Sequence, residues 1–140
     1  MKVWILNPFD NLPHEGYRPQ RYWLLARAFA RRGDEVTVFS STFSHALKRQ
    51  RSIESGVVRE GIVLRLVQSP CYPRNVCIKR LYSHWRMSGN WLRMAEGMAP
   101  PGLVVVSSPP LTLVAAARKF CAKVGAKLVV DVQDAWPETF

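Results

Sequence analysis

Acidic residues are scarce in this sequence, cysteines are few and unpaired in pattern, and no long apolar run occurs. Each shortage removes a class of protein. Asp plus Glu number 10 against 20 Lys plus Arg, a net charge of +10 over 140 residues, and the isoelectric point lies near 10.2. Such a balance predicts an anionic partner: nucleic acid, a membrane surface or a phosphorylated substrate. Most of the excess lies between Arg18 and Arg93. Cys71, Cys77 and Cys121 make an odd count with no paired framework and too wide a spacing for a zinc site, which implies reduced thiols. No stretch approaches the roughly 20 apolar residues of a membrane-spanning helix. The apolar run at the N-terminus is cut off by Asn7, Pro8 and Asp10, so it does not read as a signal peptide. Together these features predict a cytoplasmic protein.

What remains is an ordinary folded composition, 48% hydrophobic and 21% charged, at a length that suits one domain around one core. Lys2 to Leu6 reads as a buried strand closed by Asn7-Pro8, and Asn11 to Pro19 as a loop. From about Gln20 to Arg32 the apolar positions Tyr22, Leu25, Ala26 and Phe29 recur at helical spacing, and Gly33 supplies a stop. Glu35 to Ser40 is β-branched and reads as the second strand. Ser44 to Ser55 predicts a loop or irregular helix, and Val57 to Val67 a hairpin or bulged strand around Glu60-Gly61. A helix is expected from about Ile78 to Met98, then an apolar strand from Leu103 to Val106. Ser108-Pro109-Pro110 reads as N-cap and first-turn prolines of a helix running to about Val124, and Lys127 to Val132 as the last strand. Strands alternating with helices at this spacing predict an α/β, Rossmann-like doubly wound fold: a mainly parallel sheet with helices on both faces. Because the last strand has no helix after it to cover it, the chain reads as part of a longer protein.

In open parallel sheets, ligands bind beyond the carboxyl ends of the strands. Three loops should gather there: Asn7 to Pro19, Ser107 to Pro110, and Gln133 to Glu138. Arg18 and Arg21 open the first helix beside Gly16, where free N–H groups and a positive dipole end favour phosphate. A solvated arginine accounts for Arg18 more simply, and Gly16 can be a turn residue alone. No G-x-G-x-x-G fingerprint is present, which argues against a tightly bound dinucleotide.

Several of these residues, taken in order, resemble family 4 (group 1) glycosyltransferases, in the bacterial branch that builds capsule, O-antigen or exopolysaccharide. They are Lys2-Val-Trp-Ile-Leu-Asn7, Gly16 with Arg21-Tyr22-Trp23-x-Leu25-Ala26-Arg27, and Arg31-Arg32-Gly33-Asp34-Glu35-Val36-Thr37-Val38. The series continues with Ser41 to His45, Ser107-Ser108-Pro109-Pro110, and Asp134-Ala135-Trp136-Pro137-Glu138 against the family's D-L-W-P-E. Residues 48–99 match little, Asp34 stands where the family has His, and Gly16 is single where many members carry a pair. The resemblance implies one half of a GT-B enzyme. Residues 1–140 would be the N-terminal, acceptor-side domain, and the nucleotide-sugar domain with its E-x(7)-E pattern is absent from this chain. It further implies metal-independent hexosyl transfer from a nucleotide sugar to a lipid-linked or saccharide acceptor, with no resident cofactor, and no activity of this part alone. By the same resemblance Gly16 and Arg21, with Ser107 and Ser108, would lie near the donor phosphates, and Asp134 near the reaction centre. There a carboxylate accepts a hydroxyl proton or steadies an oxocarbenium-like transition state. A helix-capping role accounts for Asp134 equally well. His14 and His45 are candidates for supporting positions.

The long helix carries two apolar faces. At 100° per residue Ile78, Leu81, Tyr82, Trp85, Leu92 and Ala95 share the face expected on the sheet, and Met87, Trp91, Met94 and Met98 roughly the other. Lys79, Arg86 and Arg93 recur between them at heptad spacing. A second apolar face beside a basic stripe suits an anionic membrane, so Lys79, Arg86, Met87, Trp91, Arg93 and Met94 are the expected membrane-facing set. Burial on another element or on a further domain is the alternative. Two rivals remain: a non-catalytic subunit that recruits a donor-binding chain to the membrane, and a basic nucleic-acid-binding domain. The latter rests on the isoelectric point alone, since no helix-turn-helix, zinc or RNP-like pattern occurs.

Overall fold

A computed structural model describes residues 1–134. Short β-branched and apolar runs become strands, and longer runs of 3.6-residue period become helices. In chain order the elements are β1 (Lys2–Leu6), α1 (Arg21–Arg31), β2 (Glu35–Ser41), β3 (Phe43–Ser44), β4 (Arg49–Gln50), β5 (Val58–Arg59), β6 (Ile62–Val67), α2 (Ile78–Glu96), β7 (Leu103–Ser108), α3 (Leu111–Val124) and β8 (Lys127–Val132). One sheet has the order β5-β6-β2-β1-β7-β8, and β3 pairs with β4 in a separate ribbon. All pairings in the large sheet are parallel except β5 with β6, whose antiparallel hairpin turns at Glu60 and Gly61, both at positive φ. The fold is therefore the α/β, mainly parallel Rossmann-like arrangement that the alternation predicts.

Alternate residues of each strand face opposite ways, and each face has its own core. Val3, Ile5, Val36, Val38, Ile62, Leu64 and Val105 point to one side, where Tyr22, Trp23 and Ala26 of α1 cover them. Trp4, Leu6, Phe39, Val104 and Val106 point to the other and meet Met87, Trp91 and Ala95 of α2 with Leu113, Ala117 and Phe120 of α3. Trp4 is the centre of this second core: it stacks on Phe120 at 5.4 Å and meets Trp91 edge-on at 6.4 Å.

Two local expectations change. Ser44 to Ser55 forms a turn and the small β3–β4 ribbon, because Ser44 Oγ and backbone carbonyls satisfy the turn N–H groups without a helix. Ser108 does not cap α3. It stays in the sheet paired with Val132, its carbonyl accepts the Gln133 N–H, and Pro110 holds the N-cap position instead.

Candidate functional site at the carboxyl edge of the sheet

The order β2-β1-β7 fixes where a crevice forms. The chain leaves β1 through α1 to β2 on one side, and returns through α2 to β7 on the other. The strand order reverses between β1 and β7, so the loops after these strands diverge, and in open α/β sheets this is the edge where ligands bind.

Polar side chains line up there. Asn7 follows β1 one residue beyond the Leu6↔Phe39 and Leu6↔Val106 pairs, which places it between Ser40 of β2 and Ser107 of β7. Ser107 is in turn paired with Asp131 of β8. By strand alternation all four point to the α1 side, as Ile5, Val38 and Val105 do. Asn7, Ser40 and Ser107 are buried, yet Ser40 Oγ and Ser107 Oγ have no hydrogen-bond partner among the described residues, and Asn7 Nδ2 has none in good geometry, though its amide lies by the Tyr22 hydroxyl. Buried polar atoms are nearly always paired, so three orphans in a row at a switch point form an unusual concentration of free donors and acceptors.

The surrounding groups are fixed. Asn7 Oδ1 accepts the N–H groups of Phe9 (2.7 Å) and Asp10 (3.0 Å), which turns the chain out of β1. Tyr22 donates its hydroxyl to Asp131 Oδ2 at 2.7 Å, and Arg21 Nη2 reaches Asp131 Oδ1 at 2.9 Å. Burial, reinforced by the Asp131 carboxylate, pushes the Tyr22 phenol well above its ordinary range, so it stays a donor. The Tyr22 N–H points to Asp10 Oδ2 at 3.4 Å, and burial raises the Asp10 carboxyl pKa. The start of α1 thus already holds a carboxylate of its own chain. Arg51 secures the loop from beneath: its side chain is fully buried, pairs with Glu15, and donates to the carbonyls of Ser41 (2.9 Å) and Asp10 (3.0 Å).

On the α2 side of the same edge lies an aromatic and imidazole cluster. His45 Nδ1 meets the Tyr72 hydroxyl at 2.6 Å, and the Phe9 ring sits edge-on to His45 at 5.2 Å and to His84 at 5.5 Å. Burial, with Lys48 and Arg80 adding positive charge, pushes His45 down to about 4. Burial, with Arg80 and His45, does the same to His84. Both imidazoles are therefore neutral near pH 7.

The structure brings some of the expected site residues together and separates others. Ser107 stands in the polar row; Ser108 is buried beside it at the end of β7. Arg21 is at the crevice but engaged with Asp131. Gly16 ends the short 3-10 turn Pro13–Glu15 at φ 84°, with its N–H bonded to Pro13, which accounts for a glycine there without a ligand. Asp134 is exposed beyond the end of β8, and residues 135–140 of the motif it opens lie outside the described residues. Asn7, Ser40, Tyr22 and Asp131 were not singled out from sequence. Asn7 and Ser107 were traceable in principle, since each ends an apolar strand at the parity of its inward valines.

The expected membrane-facing set is corrected. Met87 and Trp91 are buried against the sheet, Trp91 at 0% exposure, and Met94 packs at the margin of the same core. The outward apolar residues of α2 are those assigned to the core: Ile78 (85% exposed), Leu81, Tyr82 and Trp85 (61%). The physical reason is the sheet: Trp91 packs on Trp4 and Phe39 with Met87 and Ala95 in the same core, while α3 lies alongside, with Phe120 against Trp91 and Thr112 bonded to Ser88. Lys79 and Arg93 are exposed and Arg86 half-buried. Among the described residues no helix is long and apolar enough to cross a membrane, and no cluster of His, Cys, Asp and Glu is placed to hold a metal ion.

No protein-family model matches the chain, and no curated protein is significantly similar to it.

Proposed function

We propose that this chain is the acceptor-side half of a GT-B glycosyltransferase. The intact enzyme moves a hexosyl group from a nucleotide sugar to a lipid-linked or saccharide acceptor in cell-surface polysaccharide assembly, without metal or resident cofactor. The observation that carries the reading is the row of orphan polar atoms on Asn7, Ser40 and Ser107 at the switch point. A saccharide presents hydroxyls that both donate and accept, and these three side chains hold an amide donor and two hydroxyls buried just beneath the loops at the carboxyl edge of a parallel sheet. The ordered sequence resemblance suggests the reaction class, and the row is the acceptor site in this reading. Asp131, held by Tyr22 and Arg21, is the carboxylate nearest this row in the strand register and takes precedence over Asp134 as the group that orders an acceptor hydroxyl.

The neutral His45 and His84 lie beside Phe9 on the α2 side of the same edge. The outward face of α2, with Lys79, Arg86 and Arg93, rests on the inner leaflet, which would keep a lipid-linked acceptor within reach. Nucleic acid is not a partner in this reading.

The test is transfer by the full-length gene product in membranes, scored as label passing from UDP- and GDP-hexoses to a solvent-extractable lipid acceptor. An Asn7→Ala/Ser107→Ala double variant that retains its fold should lose at least about tenfold in kcat/KM, the scale of one lost transition-state hydrogen bond. Absence of transfer from every donor, or transfer unchanged in the double variant, overturns the proposal.

A further inference from the structure

The outward apolar residues of α2 continue into a groove. Ile78, Tyr82, Trp85, Gly89 and Leu92 follow one another at i+4, i+3, i+4 and i+3, so they form a single stripe along the helix. Its first half stands in solvent. Its second half becomes the wall of a cavity of about 320 Å³ between α2 and α3, closed on the other side by Thr112, Ala115 and Ala116. That volume is at the lower end of small-molecule sites. The floor is apolar for a specific reason: the Ser88 hydroxyl donates to the His84 carbonyl at 2.7 Å and lies 3.0 Å from Thr112 Oγ1, so these hydroxyls satisfy each other. Gly89 widens the groove; a Cβ there would meet nothing within 4 Å.

Charge selects the occupant. Arg86 and Arg93 line the same groove, and among the described residues no carboxylate pairs with either. From Gly61 to Ala95 the sequence has no Asp or Glu, while Arg65, Arg74, Lys79, Arg80, Arg86 and Arg93 all fall within it. An apolar trough rimmed by two free guanidinium groups is complementary to a molecule with a hydrocarbon tail and an anionic head. A peptide would leave its backbone polar groups unpaired on this floor.

We infer that the α2–α3 groove is a binding site for one anionic phospholipid, its acyl chain lying along Gly89, Leu92 and Ala116 and its phosphate held by Arg86 or Arg93. The site rests on the membrane contact proposed above and deepens it: the exposed half of the stripe lies in the interface, and a single lipid tail follows it into the protein. Guanidinium groups bind phosphate through paired N–H donors, which favours an anionic head over a zwitterionic one.

Gly89→Leu fills the groove without touching a charge, and it replaces glycine by a better helix former, so it preserves folding. Arg86→Glu/Arg93→Glu reverses the rim and leaves the floor intact. Titration with dihexanoylphosphatidylglycerol, kept monomeric, should give saturable one-to-one binding that both variants weaken by at least about tenfold. Dihexanoylphosphatidylcholine should bind correspondingly less. Gly89→Leu should still sediment with phosphatidylglycerol vesicles, because the outer stripe and Lys79 are untouched. Wild-type binding of the short lipid by Gly89→Leu, or equal binding of the choline lipid, overturns the site. If the wild type sediments with vesicles but does not bind the monomeric lipid, the site falls and the membrane contact stands. If it binds the monomeric lipid but not vesicles, the site stands and the membrane contact falls.

Discussion

Two tryptophans on one helix have opposite fates. Trp91 is fully buried between Trp4, Phe39 and Phe120, whereas Trp85, six positions earlier, is 61% exposed at the lip of the groove. Their side chains are identical and both lie in apolar stripes, so periodicity alone does not rank them. The neighbours rank them: Trp91 shares its face with Met87 and Ala95, and the small Ala95 lets α2 approach the sheet while the indole fills the space beneath. The Trp85 face, with Ile78, Leu81 and Tyr82, has no small residue before Gly89 and stands away from the sheet.

The largest expected effect tests this difference directly. Trp91→Ala should destabilise the chain by about 3–5 kcal/mol, the range for deleting a large buried aromatic. Trp85→Ser should change stability by no more than about 0.5 kcal/mol, as exposed positions do. Urea unfolding of both variants decides it, and a larger loss for Trp85→Ser would reverse the assignment of the two faces.

Arginines repeat the contrast in charge. Arg51 is buried with three partners around it, while Arg86 and Arg93 have no carboxylate partner among the described residues. Burial lowers the Arg51 pKa, with Glu15 opposing that shift. Removing one member of a buried pair strands the other, so Arg51→Ala should cost about 3 kcal/mol and loosen the loop from Asp10 to Glu15. Arg86→Ala should leave the midpoint of unfolding where it is. Equal midpoints for the two variants would mean that Arg51 contributes no more than a surface charge.

Much of the fold was legible because strand and helix differ in period. The Val-Val-Val strand before Ser107, the β-branched run at Glu35 and the Glu60-Gly61 turn lead directly to the observed elements. The site was legible only in part. Loops at the carboxyl edge follow from parallel topology, and Ser107 and Arg21 were chosen from them. What a side chain touches is set by strands distant in sequence: Tyr22 finds Asp131 across 109 positions, and Arg51 finds Glu15 across 36. No local pattern encodes those meetings. The reversal of α2 has the same origin, since Trp91 is buried by Trp4 of β1 and Phe39 of β2, both distant in sequence.

The smallest effect separates buried from exposed groups by pH. His45 and His84 titrate at about 4 in the folded chain against 6.5 for a free imidazole, chiefly because they are buried, so between those values the unfolded chain binds protons that the folded chain does not. Stability should therefore be flat above pH 6.5 and fall as pH drops toward 4. The loss at pH 5 should be about 1 kcal/mol per histidine after allowance for partial solvation. Glu60, held down to about 2 chiefly by the Arg27 side-chain hydrogen bond, acts in another window. Its contribution is present above the ordinary carboxylate range and goes only as pH falls below it. Asp10, raised by burial, works in the opposite sense at acid pH and offsets part of that later loss. Urea midpoints at pH 7, 6 and 5 should decline more steeply for the wild type than for a His45→Asn/His84→Asn variant, in which only His14, also lowered by burial, still titrates in this window. A decline of equal slope in both would place the titrating groups outside the Phe9 cluster.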